Sequence, residues 1–174
     1  ITNVGLEHLE KLGDLEGVAK EEASIAPFVA EGGTLVLMAD APELLQAVKG
    51  ATAQKILIGR EGSVGTGGVE AELMLTGVRE EVTGTRFSIN GRGEFWLPLL
   101  GEHNAGNALM AIAGARRMGL TDEQIASGLL KVTAAEGRLE GMRVGDFFVV
   151  NDAYNANPSS MEAALKTFAR LKGE

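Results

Sequence analysis

The sequence predicts an α/β protein: a parallel sheet with flanking helices, then a small antiparallel sheet, then the start of a second α/β segment. Three observations carry this. Over residues 1–59, short apolar runs alternate with helix-length stretches; between 69 and 100, apolar and polar residues alternate between glycines; and from 138 to 171 a glycine-turned hairpin precedes a helix that opens with proline.

Taken in order, Ile1–Val4 is strand-like, and the loop from Gly5 to Gly13 carries His8, one of only two histidines. Asp14 is a side-chain cap for a helix expected to run to about Ala30, with Pro27 as a kink or early stop. "TLVLM" (34–38) and "KILIG" (55–59) are apolar runs of strand length, and Pro42–Val48 between them is helical, which makes a parallel βαβ unit. "GSVGTGG" (62–68) lacks the lysine and hydroxyl of a phosphate loop and leads into a strand, so a plain connector is expected. "VEAELMLTGV", "GTRFSING" and "GEFWLPLL" alternate as antiparallel strands do. Helices follow at His103–Met118, stopped by Gly119, and from Thr121 to about Leu130. The second opens with a Thr121/Gln124 capping box. "RLEGMRV" and "DFFVVN" form a hairpin turning at Gly145–Asp146, and Pro158–Leu171 is the last helix.

Composition narrows the function classes. Apolar residues at 45% and charged residues at 23% are the proportions of a water-soluble globular chain, and no apolar run approaches the roughly 20 residues that span a bilayer. The chain has no cysteine, which removes disulfides and thiolate metal sites and makes a reducing cytoplasm the expected compartment. A net charge of −8 without a basic cluster argues against nucleic acid. Both ends look cut, so a piece of a longer protein is expected.

Several polar residues stand where α/β proteins hold ligands. His8 follows a strand at its carboxyl end. Leu15, Val18, Glu22, Ile25 and Val29 are spaced as one helical stripe, so Glu22 is expected to face inward, where a carboxylate needs a salt-bridge partner, a cation or a wet edge. In "GEHNAGNALMAI", His103, Asn104 and Asn107 lie within one turn; asparagine donates and accepts together, as the edge of adenine requires, and Asn104 could instead be the helix cap. Arg138 carries a guanidinium fork suited to phosphate oxygens, with an ion pair to Glu136 or Glu140 as the plainer use. "NDAYNANPSS" (151–160) puts three asparagines, an aspartate and a tyrosine at the exit of an apolar strand. Asp152 is placed to accept from ribose hydroxyls, and Asn157-Pro158 to start a helix.

"ITNVGLEHLE", "EGVAKEEASIAPFV", "GEHNAGNALMAI", "GRLE" and "NDAYNANPSSMEAAL" occur in this order in the Mur ligases. The chain resembles that family along essentially its whole length. Its YNANP-x-SM-x-AAL stretch is most similar to the branch that adds D-alanyl-D-alanine to UDP-N-acetylmuramoyl-tripeptide. The resemblance implies an ATP-dependent amide ligase working through an acyl phosphate in cytoplasmic peptidoglycan synthesis. Residues 1–135 would be the later part of a P-loop-type central ATP-binding domain, and 136–174 the start of a Rossmann-like C-terminal domain. The phosphate loop and UDP-sugar domain would lie outside this segment, which alone is expected to be inactive. The implied cofactors are ATP and Mg2+; the implied partners are the UDP-linked tripeptide and D-alanyl-D-alanine, with no nucleic acid, no membrane and a monomeric chain.

By the same resemblance, His8 would hold magnesium. Asn107 would meet adenine, with His103 and Asn104 near the nucleotide; Arg138 would reach the phosphates and Asp152 the ribose. Tyr154, Asn155 and Asn157 would line the nucleotide cleft. Glu22 stands where relatives carry a carbamoylated lysine, so it is the expected carboxylate ligand of the metal beside His8. Two other readings compete: a different amide ligase of the superfamily, such as folylpolyglutamate synthase, and a non-catalytic nucleotide-binding module descended from one. The region around residue 136, with Gly137, is the expected hinge.

Overall fold

A computed structural model describes residues 1–5, 9–62 and 70–171 of the chain. His8 and all of the glycine-rich connector except Gly62 lie outside the described residues. The chain divides into two units, Ile1–Met74 and Leu75–Glu174.

In the first unit, β1 (Thr34–Met38) and β2 (Gln54–Arg60) run parallel, in register from Thr34↔Gln54 to Met38↔Ile58. α3 (Pro42–Ala47) crosses between them, with Pro42 in its first turn, where the missing N–H costs nothing. Leu35 and Leu37 of β1 meet Leu44 and Val48 of the crossover in one apolar cluster with Ala23, Ala26 and Ala53. Leu37 and Leu44 are completely buried, worth about 1.5–3 kcal/mol each. On the far side of β2 the Glu72 N–H donates to Leu57 O at 2.8 Å, and β3 (Leu73–Glu81) begins.

Two expectations for this unit need correction. Residues 1–5 form no strand: the Ile1 amine reaches Val36 O at 3.0 Å, but the segment adds no ladder to β1. The helix begun by Asp14, whose carboxylate accepts from Gly17 N–H at 2.8 Å, is α2 (Leu15–Ala23), behind the short α1 (Leu9–Leu12). It ends seven residues early because Pro27 has no N–H to give and its ring would strike the carbonyl of Ala23; Ala26–Phe28 is a single 3₁₀ turn. A nine-residue helix cannot carry a stripe from Leu15 to Val29. Its buried residues are Val18, Ala19 and Ala23, whose small side chains allow close packing with α3, and Glu22 is exposed rather than inward.

The second unit is built on an antiparallel meander of β3, β4 (Gly84–Ile89) and β5 (Arg92–Leu97). Phe87 and Phe95 stack across β4 and β5 with centroids 5.6 Å apart, and Leu75, Ile89 and Leu97 complete the buried face. Thr85 is fully buried but satisfied, its hydroxyl donating to Leu99 O at 2.8 Å. α4 (Glu102–Arg117) packs on β4 and buries Leu109 and Ile112, and α5 (Asp122–Leu129) packs on β5 and buries Ile125. The Thr121/Gln124 capping box is present as expected: Gln124 N–H donates to Thr121 Oγ1, and Thr121 N–H donates to Gln124 Oε1. The hairpin β6 (Glu140–Val144) and β7 (Phe147–Asn151) turns at Gly145, whose φ of +60° is easy for glycine, and α6 (Pro158–Arg170) follows.

Candidate nucleotide site

α4 starts in an unusual way. Its N-cap is Gly101, at φ +98° and ψ 133°, with no side chain to satisfy the first amides. Asn104 is therefore not the cap. Its side-chain amide donates instead to Leu100 O at 2.8 Å, bracing the turn into the helix. His103 is half-buried, and Asn107, one turn on, is exposed and open to a ligand. A Cβ at Gly101 would lie 2.5 Å from the His103 ring and 3.2 Å from the Leu139 methyl, so glycine here lets both side chains close on the helix start.

Leu139 brings the second segment to that place. It is buried and left-handed, with φ +45°, one of two non-glycine residues so placed among those described. A leucine there stores about 1–2 kcal/mol of strain. Asp152 holds it: one carboxylate oxygen accepts the Leu139 N–H at 3.0 Å. The neighbouring Gly137, at φ +69°, is tied from both sides. Its N–H donates to Glu140 at 3.3 Å, and its carbonyl accepts the Tyr154 N–H at 3.0 Å. Between these two fixed points Arg138 lies over the Tyr154 ring, 4.1 Å from its centroid. That contact replaces the ion pair with Glu136 or Glu140, which is not made. Tyr154 is 67% exposed, so the stacked pair presents a planar cation and an aromatic face to solvent.

The asparagines after β7 are mostly occupied. Asn151 spans to Glu140 at 3.2 Å and accepts the Ala153 N–H at 3.3 Å. The Asn155 side-chain oxygen accepts the Ala156 N–H at 2.8 Å. Asn157 caps α6 in a reciprocal box with Ser160, its oxygen accepting the Ser160 N–H at 2.8 Å and its own N–H donating to the Ser160 hydroxyl at 3.0 Å. The amide-rich loop is thus largely explained by turn and cap chemistry.

The donor set fits a nucleotide: an open carboxamide on α4, a carboxylate with one oxygen engaged, and an exposed guanidinium held on a ring. It is less informative for a metal. Among the described residues no group of three or more histidines and carboxylates is gathered, and Glu22 stands exposed. A separate cavity of about 1560 Å³ is lined by Glu80, Leu100, Leu139, Met142, Phe148 and Arg170, among others; His103, Asn107, Arg138 and Tyr154 do not line it. Sequence reading missed Gly101, Leu139 and Glu80; the first two carry a signal only in their backbone angles.

Residues 1–115 match the family model of the Mur ligase middle domain. The UDP-N-acetylmuramoyl-tripeptide–D-alanyl-D-alanine ligase of Bacillus subtilis (strain 168) is 37% identical over 177 residues, covering 99% of this chain and 36% of the relative. That of Escherichia coli (strain K12) is 30% identical, over 99% of the chain and 38% of the relative. The chain thus spans little more than a third of the curated relatives it matches. Among solved structures, MurF from Acinetobacter baumannii superposes with a TM-score of 0.84 at 28% identity, covering 99% of this chain and 37% of that one. MurF ligase from Thermotoga maritima in complex with ADP superposes at 0.81 with 20% identity, covering 99% and 39%, a likeness of fold.

Proposed function

This chain belongs to the Mur ligase family, and from that premise we propose that it forms part of an ATP-dependent ligase adding D-alanyl-D-alanine to UDP-N-acetylmuramoyl-tripeptide in the cytoplasm. On family grounds, residues 1–135 belong to the central ATP-binding domain and 136–174 open the C-terminal one. The single observation that supports nucleotide use best is the Arg138–Leu139–Asp152–Tyr154 cluster beside the start of α4. In the proposed reaction a substrate carboxylate takes the terminal phosphoryl group of ATP, leaving ADP. The free amine of D-alanyl-D-alanine then attacks the acyl carbon, releasing phosphate and a proton as the amide forms. Within it Asn107 would bind the adenine edge, Asp152 the ribose and Arg138 the phosphates. The test is a phosphate-release assay of the full-length protein with both substrates. Turnover that needs the dipeptide supports the reading, and turnover with glutamate and a folate acceptor overturns it.

Arg138→Ala is expected to lower kcat/KM for ATP by about 2–3 kcal/mol, the worth of a charge-assisted bond to phosphate. Arg138→Lys should recover little, since an ammonium neither stacks flat on Tyr154 nor grips two oxygens. Loss of thermal stability with unchanged ATP use would count against the assignment.

Magnesium would be held by His8 and Glu22 in this proposal, neutralising phosphate charge. Glu22 supplies ready-made carboxylate oxygens at the position where relatives carry a modified lysine. Glutamate is the shorter side chain and would reach less far toward the ion. Glu22→Gln should raise the magnesium concentration needed for half-maximal rate several-fold, and Glu22→Lys should make the enzyme inactive or bicarbonate-dependent. An unaltered magnesium titration of Glu22→Gln would leave it a surface acid.

A further inference from the structure

The start of α4 is capped from elsewhere in the chain. Gly101 offers no side chain, yet the first helical amide, Glu102 N–H, is satisfied at 2.7 Å by Glu80 Oε1 from β3. The Glu80 side chain is only 2% exposed, and its second oxygen is buried with no hydrogen-bond partner among the described residues. A buried carboxylate in that state needs positive charge nearby. The helix N-terminus gives part of it. The rest comes from Arg170 at the end of α6, whose Nη1 lies 3.6 Å from Glu80 Oε1 and 2.8 Å from Glu102 Oε2. Two carboxylates thus meet over one helix start, and a single guanidinium stands between them and mutual repulsion.

We propose that Glu80 is a positioning residue for the nucleotide site: it caps α4 from β3, and Arg170 of α6 is the counter-charge that keeps it there. The proposal rests on the nucleotide reading above. Its consequence is coupling. The helix start that Glu80 holds carries His103 and Asn104 and leads into Asn107, so the seating of α6 bears on the aim of all three. When Arg170 withdraws, Glu80 faces Glu102 uncompensated, and the large cavity both Glu80 and Arg170 line gives the carboxylate somewhere to turn. The α4 start then frays, and the residues on its first turn lose their aim.

The test uses the full-length protein, with ADP binding measured by calorimetry and ATP kinetics measured with D-alanyl-D-alanine saturating. Arg170 is 53% exposed in its side chain, so Arg170→Met should fold. It is expected to raise the ADP Kd and the ATP KM about tenfold while leaving the D-alanyl-D-alanine KM within twofold. Arg170→Lys should restore most of the loss. Glu80→Gln keeps an acceptor for the Glu102 N–H and removes the charge, so the Glu80→Gln/Arg170→Met pair should be milder than the sum of its parts. Strict additivity, or a fall in melting temperature with ADP affinity unchanged, overturns the assignment. Equal ADP binding by wild type and variants overturns it alone; a wild-type protein that binds no ADP overturns the nucleotide reading with it.

Discussion

Gly101→Ala will cost this protein about 2–4 kcal/mol of stability and at least tenfold in nucleotide affinity. Two effects add. At φ +98° an L-residue is strained by about 1–3 kcal/mol whatever surrounds it. The new methyl would also lie 2.5 Å from His103 Cε1 and 2.8 Å from its Nδ1, closer than any real contact, with Leu139 at 3.2 Å on the other side. The ring and the leucine must give way, and both border the proposed site. Gly145→Ala is the control: φ is +60° in the hairpin turn and nothing lies within 4 Å of the added carbon. It should cost about 1 kcal/mol and leave nucleotide binding alone. Chemical denaturation and ADP calorimetry on both variants decide it. Equal losses at the two glycines would mean that crowding at the α4 start contributes nothing.

The pattern of success in reading the sequence follows the range of the forces involved. The Thr121/Gln124 box, the turn at Gly145 and the Asn157-Pro158 helix start are interactions over three residues, and each was legible because side-chain type and spacing suffice. The α2 stripe failed for a local reason. Four apolar positions and Glu22 fit 3.6-residue spacing, but Pro27 stops the helix before the stripe is used, and two alanines, weak signals in any pattern, share the burial with Val18. Asn104, Asn155 and Asn157 were read as ligand-facing because amides suit nucleotides; amides also suit turns and caps, and composition cannot separate the two uses. The partners that define the site architecture were out of reach altogether. Glu80 meets Glu102 across 22 residues, and Arg170 meets Glu102 across 68. Leu139 looks like any apolar residue until its backbone angle is known.

Asp152 offers the sharpest separation of two roles, because one oxygen is already committed. It holds the Leu139 N–H at 3.0 Å, and so keeps a strained, buried leucine in place with Arg138 beside it. Its other oxygen is the one proposed for the ribose. Asp152→Ala removes both. It leaves a buried amide unsatisfied, at about 1–3 kcal/mol, frees the left-handed turn to relax, and deletes the ribose contact, worth about another 1.5–3 kcal/mol as a bond to a charged group. The loop that aims Arg138 then loses its anchor, so kcat/KM for ATP should fall by about 3–5 kcal/mol, roughly 150-fold or more. Asp152→Asn keeps an oxygen for the Leu139 N–H and loses only the charge. It should cost about 1–2 kcal/mol, with melting temperature close to wild type. The ratio between the two variants therefore measures how much of the residue's worth is structural. If Asn proves as damaging as Ala, the carboxylate charge is all that matters and the Leu139 turn stands without its anchor. If neither moves ATP affinity, the nucleotide does not bind here, and Asp152 is a brace for the segment between α5 and β6.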